Sequence, residues 1–386
     1  MKSLFARLNS SLDDIEANYD LFLKPSLMPI SSPVPRSSCE ASSSRLPLLV
    51  LLTVFAITFS GCGLFDTHKK VQVPPLLNPL ADAGINQLMG EVNRLAAIKS
   101  VHGKVDILFE DTSFAEQGVA DKYRQADGTL TVQRPGNIYL IIQVPFIATD
   151  IAQMTSDGKS FRVAVLQGDE RYKRFVKGTN NAVYEKLEMD GEPEASKKKK
   201  TMSGMETVNA LSNLRPQHLT EAFMIGGIQP PSETGMIYSK SEFFQEEPDI
   251  RPQAKKNSRV VRGYFLLEEM SAPTAGESRL LRRFWFDRVS GIRLARIQTF
   301  NERSELMTDV VYLDDKPFGA NGQKLPARID ITRPHDHYRL SITYQSPAAV
   351  DVDREFRPEA FILENRWKLP EVDLDARRAK PAPVNP

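Results

Sequence analysis

Two cysteines, Cys39 and Cys62, are all that the 386 residues contain, so the chain has no disulfide framework and stability must come from an apolar core. Charge of one sign is missing too. Fifty basic side chains stand against 49 acidic ones, a net charge of +1, which gives no electrostatic reason to expect nucleic acid as a partner. No G-x-S-x-G elbow, H-E-x-x-H pair, P-loop or G-x-G-x-x-G turn occurs, and carboxylates are scattered through turn sequences. Nothing in the sequence argues for an enzyme or a cofactor. His335 and His337 in "RPHDHYR" alternate as on one face of a strand, but no third metal ligand accompanies them, so a polar strand end is the expectation.

Long apolar runs are scarce as well. The one that stands out lies within "RLPLLVLLTVFAITFSGCGLF", residues 45–65. From Leu46 to Gly61 it offers sixteen residues with Pro47 near its start, short of the roughly 20 needed to cross hydrocarbon. Arg36 and Arg45 precede it and Ser60-Gly61 close it. A basic flank, a short apolar centre and small exit residues describe an export signal. "FSGC" resembles the bacterial lipobox, although Phe59 stands where leucine is commonest. The resemblance implies that Cys62 is diacylated and the signal removed, which leaves no disulfide in the mature chain. The competing reading is a short membrane anchor with an incidental cysteine. Acyl anchoring contributes about 0.8 kcal/mol per buried CH₂, and two or more chains hold a protein on a membrane where one does not. Residues 1–44, Ser- and Pro-rich from Pro25 onward, are expected to be a leader extension or a misassigned start, with Met28 a plausible alternative.

The mature chain changes period as it proceeds. Residues 63–80 hold three prolines without periodicity and read as a tether. Ile85, Leu88, Met89, Val92, Leu95 and Ile98 recur at helical spacing, predicting an amphipathic helix. A period of two follows: Val105, Ile107 and Phe109; Leu130 and Val132; Ile138, Leu140, Ile142 and Val144; Phe161, Val163 and Val165, with Asp157-Gly158 as a hairpin turn. Later strands are expected in "RRFWFDRVSGIRLARIQTF", "MTDVVYLD", "LPARIDITRP" and "YRLSITYQ". Between these halves, 188–258 reads as an insertion of loops and helices, including Met205–Leu214 and "RPQHLTEAF", where Pro216 suits a first helical turn. The lysine run in "DGEPEASKKKK" reads as a charged surface.

These patterns predict a mostly β protein with helices (α+β). The expected organisation is a leader and signal over 1–61, a tether over 62–82, one domain over 83–370 with the 188–258 insertion, and a disordered tail over 371–386. The strands are expected to form one continuous, curved antiparallel sheet, its concave apolar face covered by a partial helical lid. Under such a lid Val105, Ile107, Phe109, Leu130, Val132, Ile138, Leu140, Ile142, Phe161 and Val163 would line an acyl-chain cavity. The same residues would equally build a closed core, and patterning alone does not separate the two.

"GTLTVQRPGNIYLIIQVP…MTSDGKSFRVAVL", preceded by a helix and "SVHGKVDILFED", is similar to the lipoprotein localisation factors LolA and LolB, most closely to lipid-anchored LolB-like relatives. The stronger match spans roughly 85–175 and a looser one 280–365; the 188–258 insertion is larger than the simplest members carry. The resemblance implies that the curved sheet is a half-barrel carrying acyl chains of lipoproteins or lipids, in the periplasm, with a periplasmic carrier as a possible partner. It implies that Arg134 is a latch onto lid-helix carbonyls, the alternative being a surface arginine before a proline. It also implies that Phe146 and Ile147 form a membrane-contact loop, the alternative being that both fold into the core. Gly63 after the lipidated cysteine is not the aspartate of inner-membrane retention, which favours the inner face of the outer membrane. An acyl-binding envelope lipoprotein is thus the leading expectation. A structural or interaction lipoprotein with a filled core is the alternative, and a hydrolase ranks third.

Overall fold

Alternating apolar and polar residues put every second side chain on one face of a strand, and here that alternation marks several of the described strands. The computed structural model describes residues 73–112, 121–122, 125–147, 149–168, 170, 173–180, 182, 184, 214–273 and 276–378. All belong to one unit, Gln72–Pro386. Cys62 and the first part of the tether, the lysine run, all but Leu214 of the helix expected over 205–214, and the tail beyond 378 lie outside the described residues.

The strands are β1 Ser100–Asp111, β2 Asp121–Lys122, β3 Ala126–Gln133, β4 Asn137–Gln143, β5 Asp150–Asp157, β6 Ser160–Val165, β7 Arg174–Thr179, β8 Ile237–Pro248, β9 Arg259–Met270, β10 Leu280–Asp287, β11 Arg293–Phe300, β12 Leu306–Phe318, β13 Gln323–Arg333, β14 Tyr338–Tyr344, β15 Asp351–Val352 and β16 Glu371–Asp373. They form one sheet in the order β16-β7-β6-β5-β4-β3-β1-β14-β13-β12-β11-β10-β9-β8, with β2 and β15 paired to β1. Neighbours are antiparallel except β16, which runs parallel to β7. Register aligns the apolar positions into rows. Leu130 faces Leu140, Leu140 faces Met154, Met154 faces Val163 and Val163 faces Val176, all buried. One continuous core collects this face from β1 to β14, while Tyr264, Trp285 and Ala295 cluster on the opposite face.

Four α-helices accompany the sheet among the described residues: α1 Ile85–Ala96, α2 Pro216–Phe223, α3 Pro231–Thr234 and α4 Leu374–Arg378. In α1, Leu88, Met89, Val92 and Leu95 form the buried stripe, and Gln87 Oε1 accepts from Gly84 N at 2.9 Å at its start. Pro216 opens α2, and Leu219 and Ala222 bury against the core. The Asp157-Gly158 turn joins β5 to β6, with Gly158 at φ +85 and Asp157 Oδ1 accepting from Lys159 N and Ser160 N.

The half-barrel under a helical lid is not what forms. The sheet is open and neither closes nor curls: β8 ends it on one side and β16 on the other, and these ends do not pair. A path of fourteen strands spans roughly 60 Å at about 4.8 Å per strand. Helices of 12 and 8 residues reach only about 18 and 12 Å, too short to roof it.

Three smaller expectations change as well. Within the segment read as an insertion, Ile237–Pro248 is an edge strand paired to β9 along its whole length. Residues 73–82, read as tether, do not hang free: Leu77 is buried, its N–H donates to Val261 O, and Ala81 N donates to Arg288 O. The chain also stays in the fold past 371, as β16 and α4.

Candidate functional site

The strap at the end of α2, residues 222–228, gathers one of the candidate residues, Arg134, with Asn93, Arg282 and Tyr312. Ala222, Met224, Ile225 and Ile228 turn their side chains into the core. Its carbonyls pair with no strand, and buried carbonyls need partners; here side chains supply them. Tyr312 Oη donates to Ala222 O at 2.9 Å. Arg134 Nη1 donates to Met224 O at 3.3 Å and Nη2 to Ile225 O at 2.8 Å, while its Nε donates to Ile98 O just beyond α1 at 2.8 Å. Arg282 donates to Gly226 O and Gly227 O at 3.0 and 3.2 Å. Asn93 of α1 donates to Ile228 O at 3.0 Å and accepts from Ile228 N at 2.8 Å.

Arg134 is therefore the hub between the end of α1 and the strap. The β3–β4 turn positions it, with Arg134 N donating to Lys99 O. Burial pushes its pKa down from the usual arginine value.

Beneath the strap lies a cavity of about 30 Å³, lined by Ile98, Phe223, Ile225, Phe318, Tyr312 and Tyr344 among others. That is room for about one water molecule and no acyl chain. None of the ten residues expected to line an acyl cavity borders it. All ten are buried in the continuous core. Two tyrosines at the cavity differ. Tyr312 has its carbonyl partner, whereas the buried hydroxyl of Tyr344 has none among the described residues. An orphaned buried hydroxyl costs about 1–3 kcal/mol. Tyr344→Phe is thus expected to raise stability by about 1–2 kcal/mol and Tyr312→Phe to lower it by about 0.5–1.5 kcal/mol in urea unfolding. A loss at Tyr344 would mean that its hydroxyl has a partner.

No family model matches this sequence, and no curated protein matches it at a significant level. Among solved structures, a LolA superfamily protein from Nitrosomonas europaea is similar at 9% identity and TM-score 0.35, over 73% of this chain and 99% of that one. A DUF1329 family protein from Desulfovibrio piger is similar at 9% and 0.36, over 72% and 95%. So is a putative outer membrane lipoprotein-sorting protein domain from Vibrio parahaemolyticus, at 8% and 0.36, over 71% and 94%. Likenesses of this size say what the chain is similar to and assign it neither a family nor an activity.

Phe146 and Ile147 sit at the tip of the β4–β5 turn, far from the strap in sequence. Phe146 is fully exposed at φ +66 and Ile147 is 70% exposed. The turn is closed behind them by Val144 N donating to Thr149 O. His335 and His337 lie exposed in the β13–β14 turn, not along a strand, and among the described residues no cluster could hold a metal. Asn93, Arg282, Tyr312 and Tyr344 escaped sequence reading. A lone Asn on a helix or Arg on a strand carries no pattern, and only the strap's path gives each its partner.

Proposed function

We propose that this protein is a non-enzymatic, lipid-anchored protein of the cell envelope that admits an acyl chain between the strap and the apolar face of the sheet. On this reading Cys62 carries the anchor, the domain faces the periplasm from the outer membrane, and Phe146 and Ile147 touch the bilayer. One observation carries it. The strap's side chains are apolar, but its backbone is held by side chains from three directions and by no strand. Such a segment can lift as a unit, exposing apolar surface worth roughly 25 cal/mol per Å² to a chain that replaces it. The alternative, an interaction scaffold with a filled core, draws on the small size of the cavity.

Displacement of an apolar fluorescent probe from the full-chain protein by palmitate separates the two readings. Binding is expected; its absence leaves the scaffold. The Phe146→Glu, Ile147→Glu double variant is expected to slow delivery of bound palmitate to liposomes without changing uptake, because a charge at an exposed tip resists the membrane surface but leaves the core alone. Unchanged delivery would remove the loop from the mechanism.

A further inference from the structure

Among the described residues most shielded arginines are paired, although Arg162 keeps one buried nitrogen without a partner. Around the opposite-face cluster runs a groove of about 740 Å³, and its guanidiniums are all committed: Arg262 and Arg293 to Asp287, Arg296 to Asp309, Arg328 to Asp330. Arg215, which immediately precedes α2, is different. Its guanidinium carbon lies 4.8 Å from the centre of the Tyr184 ring and 5.3 Å from that of Phe161. Those rings hold it flat but accept no strong hydrogen bond, and no oxygen of the described residues accepts from it. Its five N–H donors find no acceptor among the described residues, and the partly exposed group is left to water.

Among the described residues the carboxylate that acts on Arg215 is already committed elsewhere. Asp336 is the nearby carboxylate, and Arg333 Nε already donates to it at 2.7 Å, with a second arm of Arg333 on Thr308. The Tyr184 hydroxyl is bonded to Asp375. His218 in the first turn of α2 lies 2.7 Å from Tyr338 Oη through Nδ1, and burial with the Arg333 charge keeps its imidazole neutral far below the ordinary range. With Arg333 offset by Asp336, Arg215 carries a positive charge that no carboxylate among the described residues pairs. Burial also pushes its pKa down from the usual arginine value. A partly desolvated cation without a partner is costly unless an anion completes it, and a forked guanidinium matches a carboxylate or phosphate bidentately.

What kind of molecule brings that anion follows from the position. Phe161 belongs to the apolar core, and α2 leads from Arg215 to Phe223 at the cavity. Eight helical residues cover about 12 Å, so one extended chain spans from the guanidinium to the strap. We infer that Arg215 binds the oxyanion, carboxylate or phosphate, of a ligand whose apolar chain runs along α2 beneath the strap. The inference rests on the acyl-binding reading above and adds that the chain carries a negatively charged end.

The test compares three probes on the full-chain protein: palmitate, its methyl ester and inorganic phosphate. Arg215→Met keeps the stem between the rings and removes the charge. It is expected to weaken palmitate on the order of tenfold, about 1.4 kcal/mol, and to leave the ester unchanged. Arg215→Lys, which keeps the charge without the fork, is expected to fall between, and serves alone should the methionine variant not fold. A rise in melting temperature with phosphate, lost in the variant, supports a site that reads a free oxyanion. No rise, with the palmitate effect intact, supports one that needs the anion on a lipid. Equal loss of acid and ester, or loss of neither, overturns the inference. If wild type binds neither lipid, the acyl reading fails, and the anion site then stands on the phosphate shift or falls with its absence.

Discussion

Replacing Arg134 with leucine is expected to loosen the strap selectively and to lower the unfolding free energy by about 1.5–3 kcal/mol, the range for hydrogen bonds to a charged group. The guanidinium donates to Ile98 O, Met224 O and Ile225 O, so a single side chain ties the end of α1 to two consecutive strap residues. Leucine replaces its volume and none of its donors. The carbonyls then depend on water, which reaches a half-buried site only when the strap lifts. Amide exchange at Ile228, whose N–H rests on Asn93 Oδ1, should accelerate far more than exchange in β3 and β4. Arg134→Lys should give an intermediate result, because one ammonium cannot span acceptors on both segments. Equal acceleration across strap and sheet would show that the arginine stabilises the whole fold and latches nothing. With the strap loosened, uptake of an apolar chain is expected to become faster and retention weaker.

The largest loss of stability is expected from Leu140→Ala, about 2–5 kcal/mol, against about 1 kcal/mol or less for Ile141→Ala beside it. Leu140 is fully buried between Leu130 and Met154, whereas Ile141 points to the other face and is only half-buried. Truncation in a filled core leaves a void lined by neighbours that cannot collapse. If the inner face instead stood open as a cavity much of the time, removing the isobutyl group would cost little. Urea midpoints at constant slope decide this. A small loss at Leu140 would say that the closed core is a minor state of the free protein, which would favour the carrier over the scaffold.

Local patterning accounts for much of this molecule. The period-two apolar positions of β1 and β3–β6 lie buried on one face, because alternation specifies the face of a strand without knowledge of its neighbours. The helical stripe of α1, the proline opening α2 and the Asp157-Gly158 turn were legible for the same reason: each depends on residues within a turn or two. The edge strand β8 was not. With both faces partly exposed, Phe243 and Phe244 among them, "IYSKSEFFQEEP" has no buried side to impose alternation.

Sequence by itself determined the strands β1, β3–β6 and β10–β14, the buried faces of β1 and β3–β6, and the shortage of catalytic motifs. Tertiary structure decided that the sheet stays open, that β1 lies between β3 and β14, and that the strap's carbonyls are met by Tyr312, Arg134, Arg282 and Asn93. It also decided that Arg215 has rings beside it and no acceptor among the described residues. The physical reason is range. Apolar burial is read along the chain through its period, whereas a hydrogen bond or a missing counter-charge is a property of residues some 90 to 135 positions apart, such as Arg134 with Met224 or Asn93 with Ile228, which only folding brings within 3.5 Å.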